Sequence, residues 1–175
     1  MSIYQLPPIE SLSSLTHTSQ VEILNHLFEP HKSIHEYLNP LLSKSYSSYI
    51  EFIDLCRKEF LKLDPTEDLT KDIISSHPRL GIPRQVLSQH SKNEQKNLQD
   101  DSSVGEFIQL NEYYENTFPG LRFVLFVNGR NKLEIKELLL QRIQRKNYSE
   151  EVRDALNAMC DIATDRYKKL IAAKL

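Results

Sequence analysis

The sequence predicts an all-α fold: a compact, single-domain, multi-helix bundle over residues 1–175 with a buried extended connector near 121–127. Three observations predict it. Apolar residues recur at three- and four-residue spacing through several long stretches, the period of a helix with one buried face. One run, Arg122–Val127 (RFVLFV), reads as a strand followed by an Asn128-Gly129 turn. It has no second strand to pair with, and an isolated strand leaves its backbone unsatisfied, so it is an extended connector instead. No linker or internal repeat interrupts the chain, and 175 residues can bury a core without disulfides or a structural metal.

Taken in order, Tyr46, Tyr49/Ile50, Ile53, Cys56 and Phe60 mark a helix over 44–63. LDPTED then supplies a helix start: Asp64 as cap, Pro65 in the first turn and Glu67 as the third-position carboxylate. That helix runs to Ser76 with Leu69 and Ile73 on its buried stripe. His77 lies four past Ile73, on the same face, and Pro78 disfavours helical geometry at His77 itself. The imidazole is thereby placed at a helix end and aimed inward. The polar stretch 84–103 holds a short exposed helix beginning near Ser91, where Ser91-x-x-Glu94 reads as a capping box. Phe107, Leu110, Tyr114 and Phe118 mark a helix stopped by FPG. Residues 131–146 and 149–172 are two more, the last with a stripe of Val152, Ala155/Leu156, Met159, Ile162/Ala163, Tyr167 and Leu170.

Composition removes several function classes. With 22 basic and 24 acidic residues and no like-sign block, the chain lacks the clustered Lys/Arg of a nucleic-acid footprint or a polybasic membrane patch. No apolar run approaches transmembrane length, and the N-terminus lacks a secretory layout. Cys56 and Cys160 form no CxxC and read as free buried thiols of a reducing compartment. Four glycines and no Gly-rich loop argue against nucleotide binding. The histidines His17, His26, His31, His35 and His90 show no HExxH or comparable spacing, so no metal site is expected. No GxSxG supplies a serine nucleophile.

Three weak signals remain. His77 is either a helix-end histidine donating to the last carbonyls or an acid–base group. Glu94 is either half of a capping box or a catalytic carboxylate. Arg166 falls on the apolar stripe of the last helix, where an unpaired charge is prohibitively costly, so it needs an internal carboxylate or an anionic ligand. Separately, the terminal Ala173-Lys174-Leu175 is close to the Ser-Lys-Leu peroxisomal address.

Read together, HPRLG at 77–81, SKNEQ at 91–95, FIQLNEYYENTF at 107–118 and IATDRY at 162–167 resemble, in order and spacing, the motifs of the OHCU decarboxylases. These are the 2-oxo-4-hydroxy-4-carboxy-5-ureidoimidazoline decarboxylases of urate breakdown. LFEPH at 27–31 resembles that family's early Phe-Glu element, so the similarity covers nearly the whole chain. The resemblance implies an all-helical enzyme without a cofactor, a homodimer, acting on a small ureidoimidazoline. It places catalytic roles on His77, Glu94 and Arg166. It also puts substrate contact on Pro78, Ser91, Gln95 and the backbone of Phe123, Val124, Leu125 and Phe126. The chain departs from the family after Gln95, where Lys96, Asn97 and Leu98 replace small residues. It departs again ahead of the aromatic-Val run, where Arg122 replaces a proline and Pro119-Gly120 adds length.

The implied chemistry suits these residue types. A substrate whose carboxylate sits beside a C=N bond carries its own electron sink, so neither metal nor pyridoxal phosphate is needed. Arg166 would hold an anion, His77 would exchange protons near neutral pH, and Glu94 would orient N–H groups. The product would be S-allantoin. A peroxisomal import receptor would read the tail, agreeing with urate oxidation in that compartment. Two other readings stay open: a non-enzymatic helical interaction module of the same fold, and a hydrolase of a related ureide using His77 and Glu94 on water.

Overall fold

Helix starts in this chain are set by short polar side chains just ahead of apolar runs. In the computed structural model, which describes residues 3–81, 89–95 and 101–174, Thr16 caps α1 (His17–Leu27), accepting from the Ser19 amide at 3.2 Å. His31 does the same for α2 (Lys32–Leu38) through Nδ1, at 3.3 Å from Ser33 N. Ser48 caps α3 (Tyr49–Phe60) at 3.1 Å from Glu51 N. Then follow α4 (Asp68–Ile74), α5 (Gln89–Glu94) and α6 (Asp101–Thr117). α7 (Lys132–Arg145) opens with a full capping box, Asn131 and Glu134 satisfying each other's amides at 3.0 and 2.9 Å. α8 (Tyr148–Ala172) is the longest element. Two 3-10 turns, Ile9–Ser14 and Asn39–Ser43, complete the order, so the fold is all-α with no strand among the described residues.

The chain divides into two compact units, Met1–Leu63 with Leu156–Leu175, and Asp64–Ala155. The first buries Ile23, Leu24 and Leu27 of α1, Ile34 and Leu38 of α2, and Phe52, Ile53, Cys56 and Phe60 of α3. Phe28 meets Phe60 edge-on at 5.6 Å, and Tyr37 stacks on Phe60 from 5.7 Å. Arg57 on α3 ties to α8, donating to Asn157 O and Oδ1 and pairing with Asp161 at 2.7 Å. Each such aromatic or aliphatic burial contributes roughly 1.5–3 kcal/mol.

The second unit centres on Phe107, Tyr114 and Phe118 of α6, Phe123 and Val124, and Ile135, Leu139 and Ile143 of α7. Leu121–Val127 forms neither helix nor strand and is largely buried. Its carbonyls find donors from side chains: Arg142 Nη1 reaches Val124 O at 3.0 Å, and Arg130 Nη1 reaches Phe126 O at 2.7 Å. Arg142 also covers the Phe123 ring at 4.6 Å and pairs with Glu151, which is fully buried.

Three local expectations are corrected. α4 begins at Asp68, not at 64–65, because the Asp64 carboxylate accepts from Thr66 N and Oγ1 at 2.8 and 2.7 Å and closes a turn around Pro65. The later start rotates the buried face: Leu69 is 39% exposed, while Thr70, Ile73 and Ile74 are buried. Thr70 is tolerated there because its hydroxyl donates to Asp64 O at 2.5 Å. Ser91 lies inside α5, not ahead of it, and is buried, so it is not the cap of a capping box. Lys96–Leu98 and Leu175 lie outside the described residues.

Candidate active-site residues

His77 stands just past the last turn of α4 and is 5% exposed. Its amide reaches back to Ile74 O at 3.3 Å, and Pro78 then turns the chain outward from the helix axis. The segment 77–81 is held from four directions. The Gln95 carboxamide accepts from Gly81 N at 2.8 Å and donates to Arg79 O at 3.4 Å. Asn111 Nδ2 donates to Leu80 O at 2.9 Å and to Phe107 O at 2.7 Å. Arg79 pairs with Glu115 of α6. Arg122 Nη1 donates to His77 O at 3.1 Å. Gly81 has φ +74°, and a Cβ there would sit 2.7 Å from Phe107 Cβ, so only glycine lets α6 approach this turn.

Of the expected substrate contacts, Ser91 and Gln95 are buried and Glu94 is half-buried, all on or just past α5. Gln95 uses both ends of its carboxamide on the 79–81 backbone, so the structure gives it a scaffolding part in placing the His-Pro turn. Phe123 and Val124 are buried, Leu125 and Phe126 half-buried, and two of the four carbonyls are taken by Arg142 and Arg130. Behind them Tyr114 donates to Glu151 at 2.5 Å; burial first, then Glu151, pushes its phenol far above the ordinary range.

Arg166 belongs to the other unit and is 2% exposed. Its partner is internal: Nη2 meets Glu29 Oε1 at 2.8 Å and Nη1 donates to Phe28 O at 2.9 Å. The internal-carboxylate alternative is therefore realised, by the glutamate of LFEPH. His26 lies in the same neighbourhood, stacked on Tyr4 at 3.7 Å with the rings 1° from parallel. Burial lowers the His26 pKa, Glu22 opposes that, and Arg166 adds to it. Burial also pushes the Tyr4 phenol up to about 12.

Sequence reading missed Asn111, Glu151 and the Glu29–Arg166 pairing. For Asn111 the signal was present: it falls four past Phe107 and three before Tyr114, on the stripe that Leu110 was assigned to. Among the described residues, no group of three or more His, Cys, Asp or Glu could hold a metal ion, and no helix is long and apolar enough to cross a membrane.

Residues 13–168 match the sequence profile of the OHCU decarboxylases. The chain belongs to this family. OHCU decarboxylases are carboxy-lyases of urate degradation, and the matched span contains His77, Ser91, Glu94, Gln95 and Arg166. Among similar proteins, the uric acid degradation bifunctional protein PucL of Bacillus subtilis (strain 168) is 35% identical over 107 residues, 59% of this chain and 21% of that protein. The uric acid degradation bifunctional protein of Bacillus sp. (strain TB-90) is 26% identical over 166 residues, 93% of this chain and 32% of that protein. The chain thus spans about a fifth to a third of the length of these relatives.

Proposed function

We propose that this chain decarboxylates 2-oxo-4-hydroxy-4-carboxy-5-ureidoimidazoline to S-allantoin, without a cofactor. The family match over 13–168 carries the reading, and the buried His77 in a turn fixed by Gln95, Asn111 and Arg122 supports it. In the reaction the C–carboxylate bond breaks and its electron pair forms a C=C bond to the neighbouring ring carbon. The C=N pair moves onto nitrogen, which takes a proton. Loss of the hydroxyl proton and protonation of the neighbouring carbon then give the hydantoin ring. His77 serves as the acid–base group, since an imidazole both accepts and returns protons near neutral pH. Glu94 and Ser91 hydrogen-bond the ureido and ring N–H groups. Arg166, with Glu29 fixing its orientation, holds the substrate's carboxylate.

The test generates the substrate in situ from urate with uricase and its hydrolase, then adds this protein. Circular dichroism is expected to show rapid appearance of one allantoin enantiomer, lost in His77→Asn. Rates and chirality equal to the no-protein control would overturn the reading in favour of a non-enzymatic module. Release of ammonia or urea instead of CO2 would overturn it in favour of a ureide hydrolase.

We propose further that the protein acts as a homodimer in the peroxisome, delivered by an import receptor that reads Ala173-Lys174-Leu175. Replacing Ala173-Lys174-Leu175 is expected to leave the protein in the cytosol; unchanged localisation would refute the address.

A further inference from the structure

We infer that Arg122 is a positioning residue for His77, part of a brace that clamps the end of α4; this rests on the reading of His77 as the acid–base group. A helix end leaves carbonyls without intrahelical donors. At the end of α4 the first of these are answered locally, Ile73 O by Ser76 N and Oγ at 3.2 and 2.6 Å. The carbonyls of Ser75 and His77 face onward, and Pro78 brings no N–H to the turn. A single guanidinium nitrogen answers both, Arg122 Nη1 lying 2.9 Å from Ser75 O and 3.1 Å from His77 O.

The arginine is itself anchored. Leu121 and Phe123 on either side are each 1% exposed, so the backbone at 122 is pinned into the core. Two residues earlier, Gly120 O accepts from Ser75 Oγ at 3.0 Å. Gly120 has φ +89°, and a Cβ there would lie 2.8 Å from Lys71 Cδ, so the turn is pressed onto the α4 side chains. The 119–122 segment therefore touches α4 at Lys71 and the turn that follows it at Ser75 and His77. Pro119-Gly120 and Arg122 make up one of the two departures from the family's pattern seen in the sequence, and the structure joins them in one device.

The consequence for His77 is mechanical. Its carbonyl is held by the guanidinium and its amide by Ile74 O, so the peptide planes on both sides of its Cα are fixed. With those planes fixed, the Cα–Cβ direction that aims the imidazole is fixed too. Lysine would keep the charge but lose the planar fork that holds a defined angle.

The experiment compares wild type, Arg122→Met and Arg122→Lys in the CD assay above, with rates normalised to folded protein. Arg122→Met is expected to lower kcat about 10- to 100-fold, the order of loss that a displacement of about 1 Å produces, with KM changed less than about twofold. Arg122→Lys recovers part of that loss and covers the case in which the methionine variant fails to fold. Histidine-labelled NMR gives a readout independent of turnover: the His77 ring resonance, assigned by its absence in His77→Asn, shifts or broadens in the Arg122 variants. An unchanged kcat with an unchanged His77 resonance overturns the inference, as does a raised KM with kcat intact. If wild type shows no turnover, the functional reading fails while the resonance still decides whether the brace positions His77.

Discussion

Replacing Gly81 with alanine should test whether the turn after His77 is shaped by α6. At φ +74° any residue with a Cβ pays about 1–2 kcal/mol for the left-handed backbone. The added methyl would also lie 2.7, 2.8 and 2.9 Å from Phe107 Cβ, Cγ and Cδ2, and Phe107 is fully buried, so it has nowhere to move. Overpacking of this kind costs about 1–3 kcal/mol. The two contributions together give a loss of roughly 2–5 kcal/mol, a large part of the ~5–15 kcal/mol that holds a typical domain together. Urea unfolding followed by far-UV circular dichroism measures it. A Gly81→Asn variant separates the causes, because asparagine tolerates the left-handed region but still carries a Cβ. The Phe107 contact predicts that asparagine, though spared most of the backbone strain, still loses about 1–3 kcal/mol to overpacking. Near-wild-type stability for Gly81→Asn would show that backbone strain alone matters, and that α6 does not press on the turn as described.

Two further outcomes follow from the first unit. Glu29→Ala strands the buried Arg166 charge and is expected to cost about 3–5 kcal/mol in urea unfolding, with Glu29→Gln milder because it keeps an acceptor; a loss under about 1 kcal/mol would refute the pairing. Acid sensitivity should begin early, because burial lowers the pKa of both His26 and His35 below the usual value. The folded state resists protonation that the unfolded chain accepts, so their contribution is full above about pH 6.5 and is lost as pH falls through the lower folded values. Urea midpoints measured from pH 8 to pH 5 should decline below that point, and a combined His26→Gln, His35→Gln variant should flatten the decline.

How much could be read from sequence differed by feature. α7 and α8 were legible because cap and period agree there, Asn131–Glu134 at one start and the Val152-to-Leu170 stripe along the other. Arg166 was legible as a charge where the period demands an apolar residue. Its partner was not, since 137 positions separate it from Glu29 and no local pattern encodes so distant a contact. The start of α4 misled because Asp64 can serve a helix or a turn, and the Thr66 hydroxyl and amide decide for the turn. Arg122 was visible only as a departure from family pattern; its purpose depends on two carbonyls from a different stretch of chain.

The extended run Phe123–Val127 has a bearing on solubility. Short, uncharged, β-prone segments are the seeds of cross-β assembly when their edges are bare, and this one has the right make-up. Here guanidinium groups sit on the acceptors that a neighbouring molecule's amides would seek. Detachment of α7, which carries Arg142 away from Val124, would uncover one of those acceptors, while Arg130, which precedes α7, keeps its hold on Phe126 O.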